Sequence, residues 1–198
     1  MKKGEFFRCN FFAKNRGGQV WVETVIYTLI ALVMMGAVMS FVIPRIEEIQ
    51  DKSVIEQSVR SMNDVNSVVQ SVVQSGPGNK RIIQTNIKKG NFIIDGTNNE
   101  IRFEIETNYE YSEPCDKENI TNCDTINVGN IVALTKKEGG TNKVILTSDY
   151  ASYDLTYNGG NDEKTIGQSS SVYSISIENK GEVIDGAATK INIDFNLS

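Results

Sequence analysis

The hydrophobic pattern of the chain begins with one long uncharged run. Residues 25–43 are mostly apolar and contain no Asp, Glu, Lys or Arg, so the run is long enough to cross a bilayer core as a helix. The basic residues before it are Lys2, Lys3, Arg8, Lys14 and Arg16, and the acidic residue outside the junction is Glu5. This excess of positive charge predicts a transmembrane helix whose N-terminus stays in the cytoplasm.

A second hydrophobic pattern follows Pro44, which removes one helical hydrogen bond and is expected to bend or restart the helix. Apolar residues then recur at spacings of three and four with charges largely between them, which predicts an amphipathic helix. They are Ile46, Ile49, Ile55, Val59, Met62, Val65, Val69 and Val72. The helix is expected to end near Ser75, because Gly76-Pro77-Gly78 cannot continue it. A membrane-proximal coiled-coil stalk would give a similar pattern.

Beyond Gly78 the pattern becomes alternating and predicts strands. The predicted strands are 81–87, 91–94, 100–107, 126–136, 143–149, 152–157, 171–178 and 190–196. Asp95-Gly96 predicts a hairpin turn, and further turns are predicted at 138–140, 158–160 and 179–181. The chain is therefore predicted to have an α+β fold: a long N-terminal helix, then an antiparallel β head over 76–198, built as a sandwich or a barrel.

The junction between the basic leader and the apolar run reads Arg16-Gly17-Gly18-Gln19-Val20-Trp21-Val22-Glu23-Thr24. A basic leader ending in glycine, then Gln, then Glu at the fifth position before an apolar run, resembles the class III signal peptide of type IV pilin-like proteins. The match is closest to the archaeal pilins, since bacterial type IV pilins more often begin with Phe. The resemblance extends over about residues 14–60.

The resemblance implies a maturation and assembly route. A prepilin-type peptidase would cut between Gly18 and Gln19, removing leader 1–18 and leaving a stem helix over 19–75. The stem would wait in the membrane and then be assembled by dedicated machinery into a homopolymeric cell-surface filament. Glu23 would pair with the free α-amine of a neighbouring subunit, because an unpaired buried acid is expensive. If Gln19 cyclises, that amine is lost and Glu23 has only a polar partner.

The apolar run also carries a ridge of residues four apart, which lie on one face of a helix. Its members are Thr24, Thr28, Leu32, Gly36 and Ser40. Small residues at such positions let helix backbones approach closely, so the ridge is predicted to pack against other helices. The alternative is the ordinary abundance of small residues in membrane helices.

Two other kinds of N-terminal segment could also explain a basic flank followed by an apolar run. A secretory signal peptide has a shorter apolar core and a small-residue cleavage site, and Met39–Arg45 offers no convincing site. An uncut signal anchor explains the basic flank and the apolar run. It does not explain Glu23, unless that acid simply sits at the membrane interface.

Charge and cysteine content extend the prediction to the compartment. The net charge of the 198-residue chain is −5, and loss of a leader of net charge +4 leaves −9, which argues against a nucleic-acid partner. Of three cysteines, Cys9 lies in the leader, whereas Cys115 and Cys123 lie in the predicted extracellular part and are predicted to form a disulfide. Asn119 begins an N-glycosylation pattern in the same polar loop, and Asn196 begins another near the C-terminus.

The sequence offers little catalytic chemistry. It has no histidine, which excludes Ser-His and Cys-His nucleophile pairs and leaves too few ligands for zinc. Glu104 and Glu106 lie on the same face of a predicted strand, but charged residues do so on most solvent-exposed sheet faces, so the pair does not indicate a glycosidase site. Residues 158–163 are polar but lack the spacing of a known calcium loop. We therefore predict no catalytic residue, metal site or cofactor. Together with the resemblance, this predicts a structural filament subunit that serves adhesion or surface attachment. The alternatives are a single-pass membrane-anchored extracellular β domain that binds a ligand or surface partner, and a secreted or tethered hydrolase.

Overall fold

The computed structural model describes residues 17–115, 123–185 and 188–197. Helix α1 (Gly17–Ser75) is followed by a region of β-strands, so the predicted α+β fold is confirmed. The chain divides into two units, Met1–Arg45 and Ile46–Ser198, whose boundary falls within α1 between Arg45 and Ile46. The predicted domain limits, 1–18, 19–75 and 76–198, stay predictions.

Helix α1 ends at Ser75, as the sequence predicted. Pro44 lies inside this helix, so no second helix begins there. The end is set by glycine: Gly76 and Gly78 adopt φ angles of 86° and 81°, in the left-handed region that glycine reaches without a steric penalty. The amide of Gly76 donates to the carbonyl of Val73 at 3.2 Å, which satisfies one of the last helical carbonyls.

The second half of α1 supplies one wall of the hydrophobic core. Its buried apolar residues recur at spacings of three and four, as the amphipathic pattern predicted: Ile55, Val59, Met62, Val65, Val69 and Val72. All of them except Val72 belong to the same hydrophobic cluster as residues of the β-strands. The pattern does not hold at its start, because Ile46 and Ile49 are 46% and 69% exposed. The stripe that packs on the head therefore begins at Ile55.

The described part of the β region contains ten strands. They are β1 (Lys80–Thr85), β2 (Asn91–Asp95), β3 (Glu100–Thr107), β4 (Ile126–Val128), β5 (Ile131–Glu138), β6 (Thr141–Asp149), β7 (Tyr153–Tyr157), β8 (Lys164–Gly167), β9 (Tyr173–Asp185) and β10 (Ala188–Leu197). Sheet A has the order β1-β9-β10-β7, and sheet B has the order β4-β5-β6-β3-β2-β8. All paired strands are antiparallel except β7 and β10, which run parallel. The described strands thus form two sheets.

The predicted hairpin at Asp95-Gly96 is confirmed. Strands β2 and β3 pair with Asp95 opposite Glu100, and the Asp95 carboxylate accepts a hydrogen bond from the Asn98 amide at 3.0 Å. Strand β3 alternates as expected, with Ile101, Phe103 and Ile105 buried. Its charged side chains occupy the other face of the sheet.

Two predictions about the strands are wrong. The segment 126–136 is not one strand: β4 and β5 form a hairpin, because Gly129 turns the chain at a φ angle of 64°. Residues 179–181 are not a turn, because β9 continues through them with a register shift opposite Asn192/Ile193. Strand β8 was not predicted, since its four residues contain one large apolar side chain, Ile166.

The irregularity in β9 holds the residues that follow the helix. The backbone of Asn179 accepts from the Gly78 amide at 2.7 Å and donates to the Asn79 carbonyl at 3.0 Å. Gly181 has a φ angle of 99°, and a Cβ atom there would lie 3.7 Å from Cβ of Pro77. The bulge therefore couples the C-terminal end of α1 to sheet A.

Candidate functional site

The first half of α1 is the strongest candidate for a functional segment. Every side chain from Val20 to Glu47 is exposed, and this stretch includes large apolar residues such as Phe41, which is 81% exposed. Among the described residues, α1 is the one helix long and apolar enough to cross a membrane. The predicted apolar helix is thus present, and its length and composition fit membrane anchoring.

Glu23 has a hydrogen-bond partner on its own helix. The Tyr27 hydroxyl donates to Oε1 of Glu23 at 3.1 Å, across one helical turn. Both side chains are exposed, and Tyr27 is 62% exposed. This pair was not predicted from the sequence, although residues four apart on a helix lie close together and the spacing could have indicated it. Gly18 and Gln19 lie within helix α1, and the side chain of Gln19 lies outside what the structure describes.

The predicted packing ridge has its hydroxyl groups satisfied within the helix. Thr24 donates to the carbonyl of Val20 at 2.9 Å, Thr28 donates to that of Thr24 at 2.9 Å, and Ser40 donates to that of Ala37 at 2.8 Å. These hydroxyls therefore need no further acceptor in an apolar environment.

Gly36 is the glycine of the ridge, and the space beside its backbone is open. A Cβ atom added there would meet nothing within 4 Å outside its own helix backbone. The roles of Glu23 and of the ridge in assembly stay predictions.

A second polar cluster joins the helix to the head and was not predicted. Asp51 is 7% exposed; its Oδ1 pairs with Lys89, and its Oδ2 accepts from the Thr107 hydroxyl at 2.8 Å and the Asn108 amide at 3.1 Å. Burial alone would raise the pKa of Asp51, but these hydrogen bonds and the charge of Lys89 outweigh it and hold the pKa below its ordinary value. The cluster thus fixes the start of the buried half of α1.

A buried amide provides another contact between helix and strands. Oδ1 of Asn66 accepts hydrogen bonds from the hydroxyl groups of Ser148, at 3.0 Å, and of Tyr150. Burial raises the pKa of Tyr150 well above its ordinary value. These contacts span more than eighty residues of sequence, so no local pattern indicates them.

The two cysteines of the predicted extracellular part meet as predicted. The sulfur atoms of Cys115 and Cys123 lie at disulfide distance. Cys115 is itself tied to β5, since its amide donates to the Thr135 carbonyl at 3.0 Å and its carbonyl accepts from the Lys137 amide at 3.2 Å. Asn119, in the loop between the cysteines, lies outside the described residues. Asn196 lies in β10, and its glycosylation stays untested.

Two of the acidic residues with candidate chemistry, Glu104 and Glu163, are engaged in ion pairs. Glu104 pairs with Lys143 at 3.1 Å, and Glu163 pairs with Arg102 at 2.6 Å. Arg102 also pairs with Asp95 and Glu100; burial would lower its pKa, but its ion pairs raise it. Within residues 17–115, 123–185 and 188–197, no group of three or more His, Cys, Asp or Glu could hold a metal ion.

Comparison with known proteins finds no matching family model, no similar curated protein and no similar solved structure. The resemblance to type IV pilin-like proteins therefore stays a prediction that depends on the residues of the leader and the stem.

Proposed function

We propose that the chain is the structural subunit of a type IV pilin-like extracellular filament that serves adhesion or surface attachment. The leader would be cut between Gly18 and Gln19, and the segment 25–43 would hold the subunit in the membrane until assembly. The observation that carries the proposal is the contrast within α1. Its apolar side chains are exposed from Val20 to Ile49 and buried or half-buried from Val54 onward.

The length of the exposed apolar segment favours assembly over simple anchoring. The exposed apolar side chains are distributed over residues 20–49, whereas a helix of about 20 residues is long enough to cross a bilayer core. A membrane that covers 25–43 would leave Ile46 and Ile49 in water. Packing of stem helices in a filament would cover these residues too, and apolar contact with other stems would replace lipid contact.

Glu23 supports the same proposal. An acid at the edge of an apolar helix is expensive unless it gains a partner, and a partner from a neighbouring subunit would reward correct docking. A monomeric anchor gives Glu23 no such partner. The β head, whose core is complete within Ile46–Ser198, would remain on the filament surface.

The first test is intact mass combined with N-terminal peptide mapping of the protein from its native host. The expected mature start is Gln19 or its cyclised form. An intact leader, or a cut beyond Ile43, would contradict the proposal and would favour a tethered or secreted β domain.

Two leader variants sharpen this measurement. Gly18→Leu replaces the residue at the proposed cut and is expected to keep the leader, whereas Gly17→Ala, one residue earlier, is expected to be processed normally. Equal processing of both variants would count against cleavage at Gly18–Gln19.

A Glu23→Gln variant separates processing from assembly. It is expected to start at Gln19 and to assemble to a much smaller fraction than the wild type, which forms sheared filaments visible by electron microscopy. If the processed wild-type protein forms no filaments, the membrane-anchored alternative replaces the proposal.

A further inference from the structure

Glu23 needs a hydrogen-bond donor before any second subunit arrives. An ionised carboxylate only accepts hydrogen bonds, and leaving it unpaired next to hydrocarbon costs several kcal/mol. The inference that follows rests on the proposed function, because it concerns how this acid is prepared for docking.

The neighbouring hydroxyl groups do not meet this need. Thr24 donates to the carbonyl of Val20 at 2.9 Å, and Thr28 lies 2.9 Å from the carbonyls of both Thr24 and Val25. A hydroxyl has one proton to donate, and here each is directed at the backbone.

Tyr27 has the right position and direction. Side chains in a helix lean toward its N-terminus, so a long residue at i+4 reaches back toward residue i. The Tyr27 hydroxyl accordingly lies 3.1 Å from Oε1 of Glu23, one turn closer to the N-terminus than its own backbone. The pair also gives the Tyr27 hydroxyl an acceptor, which it would lack among apolar neighbours.

We propose that Tyr27 is a positioning residue for assembly: its hydroxyl holds Oε1 of Glu23, and this leaves Oε2 to accept a hydrogen bond from the N-terminus of a second copy of the chain. The pair forms within one helix, so it exists before docking and lowers the penalty of keeping Glu23 in the membrane. It also fixes the side-chain rotamer, so less conformational entropy is lost when subunits dock.

The test measures the assembled fraction of the processed protein in a four-variant cycle: wild type, Tyr27→Phe, Glu23→Gln and the double variant. Tyr27→Phe is expected to lower the ratio of assembled to membrane-bound subunit on the order of tenfold, the effect of one hydrogen bond to a charged group. In the Glu23→Gln background the same change is expected to lower it less than about twofold, because the charged acceptor is gone.

Tyr173→Phe, which removes the same atom from β9 in the head, is the matched control and is expected to assemble like the wild type. The inference is overturned if Tyr27→Phe assembles normally, or if its loss of assembly is as large in the Glu23→Gln background as in the wild-type background. The start residue of the wild type is measured in parallel, so a retained leader identifies failure of the proposed function itself.

A second readout does not depend on filaments. With ¹³C-labelled Glu and the full chain in bilayers, the difference infrared spectrum between wild type and Glu23→Gln isolates the Glu23 carboxyl band. Tyr27→Phe is expected to shift this band, and Tyr173→Phe to leave it unchanged. An unshifted band in Tyr27→Phe would show that the Tyr27 hydroxyl does not bind the Glu23 carboxylate, and this would overturn the inference whether or not the protein assembles.

Discussion

The two halves of α1 differ both in how densely they carry apolar residues and in whether those residues are buried. Between Val20 and Ile49 these side chains are exposed, whereas from Ile55 to Val72 the apolar stripe is buried among the strands of the head. The second half is amphipathic and has a partner within the chain. Within the first half, residues 25–43 are uncharged and mostly apolar on every side, which is typical of a helix whose partners are lipid or other helices.

Charge distinguishes the halves before any contact is known. Residues 25–43 carry no charge, so no face of that helix segment is suited to water. The second half places Glu56, Arg60 and Asp64 on its exposed side, and Glu56 and Arg60 approach at 4.0 Å. Only this half therefore folds as part of a water-exposed domain, and the contrast can be tested by matched substitutions.

The largest expected effect compares two isoleucines six residues apart. Ile55→Ala removes a fully buried side chain and is expected to lower the free energy of unfolding of the head by about 2–5 kcal/mol, from lost burial and a residual cavity. Ile49→Ala, at a position 69% exposed, is expected to change it by less than about 0.5 kcal/mol. Urea unfolding of the full chain in detergent, followed by circular dichroism, measures both. Equal losses would show that the boundary at Ile55 is wrong.

The next effect concerns the polar cluster at the start of the buried half. Asp51→Asn is expected to lower the free energy of unfolding by about 1–3 kcal/mol, because Lys89 loses its charged partner and hydrogen bonds to a buried carboxylate weaken. Asp64→Asn, at an exposed position on the same helix, is the control and is expected to stay within about 0.5 kcal/mol of wild type. Urea unfolding midpoints at pH 7 measure both variants, and equal midpoints would contradict a stabilising role for the Asp51 carboxylate.

The same cluster predicts how stability depends on pH. The pKa of Asp51 is lower in the folded chain than its ordinary value of 3.8, so the unfolded chain binds the proton first as the pH falls. The stabilisation is fully present above 3.8 and is lost as the pH falls through the folded pKa. The difference in unfolding free energy between wild type and Asp51→Asn is therefore expected to shrink between about pH 5 and pH 2. A difference that stays constant over this range would contradict the ionised pair.

Local patterns predicted the elements better than the contacts between them. The end of α1 at Ser75 and the β2–β3 hairpin were predicted because glycine, proline and alternation act within a few residues. Strand β8 was not predicted, because a four-residue segment with one large apolar side chain shows no alternating pattern. Residues 179–181 were predicted to be a turn, but Gly181 lies at a β-bulge within β9.

The polar contacts divide in the same way. The Tyr27–Glu23 pair follows from helical spacing and could have been predicted, as the disulfide was from the cysteine count. The Asp51 cluster joins residues 38 to 57 positions apart, and the β7–β10 pair is parallel and non-sequential. Such contacts depend on the packing of the whole head, so the spacing of residues within one segment does not predict them.

The smallest expected effect on the single chain is at Gly36. The added methyl of Gly36→Ala meets open space, and alanine favours helix over glycine by about 0.5–1 kcal/mol, so the monomer is expected to be unchanged or slightly stabilised. If the ridge packs closely on other stems, the same methyl separates the backbones and the assembled fraction falls several-fold.

Ala37→Ser adds one heavy atom beside Gly36 but off the ridge, and is expected to assemble normally. Normal assembly of Gly36→Ala would mean that this ridge does not face other helices. Loss of assembly with an intact head would instead place the partner of the exposed half of α1 in another copy of the chain.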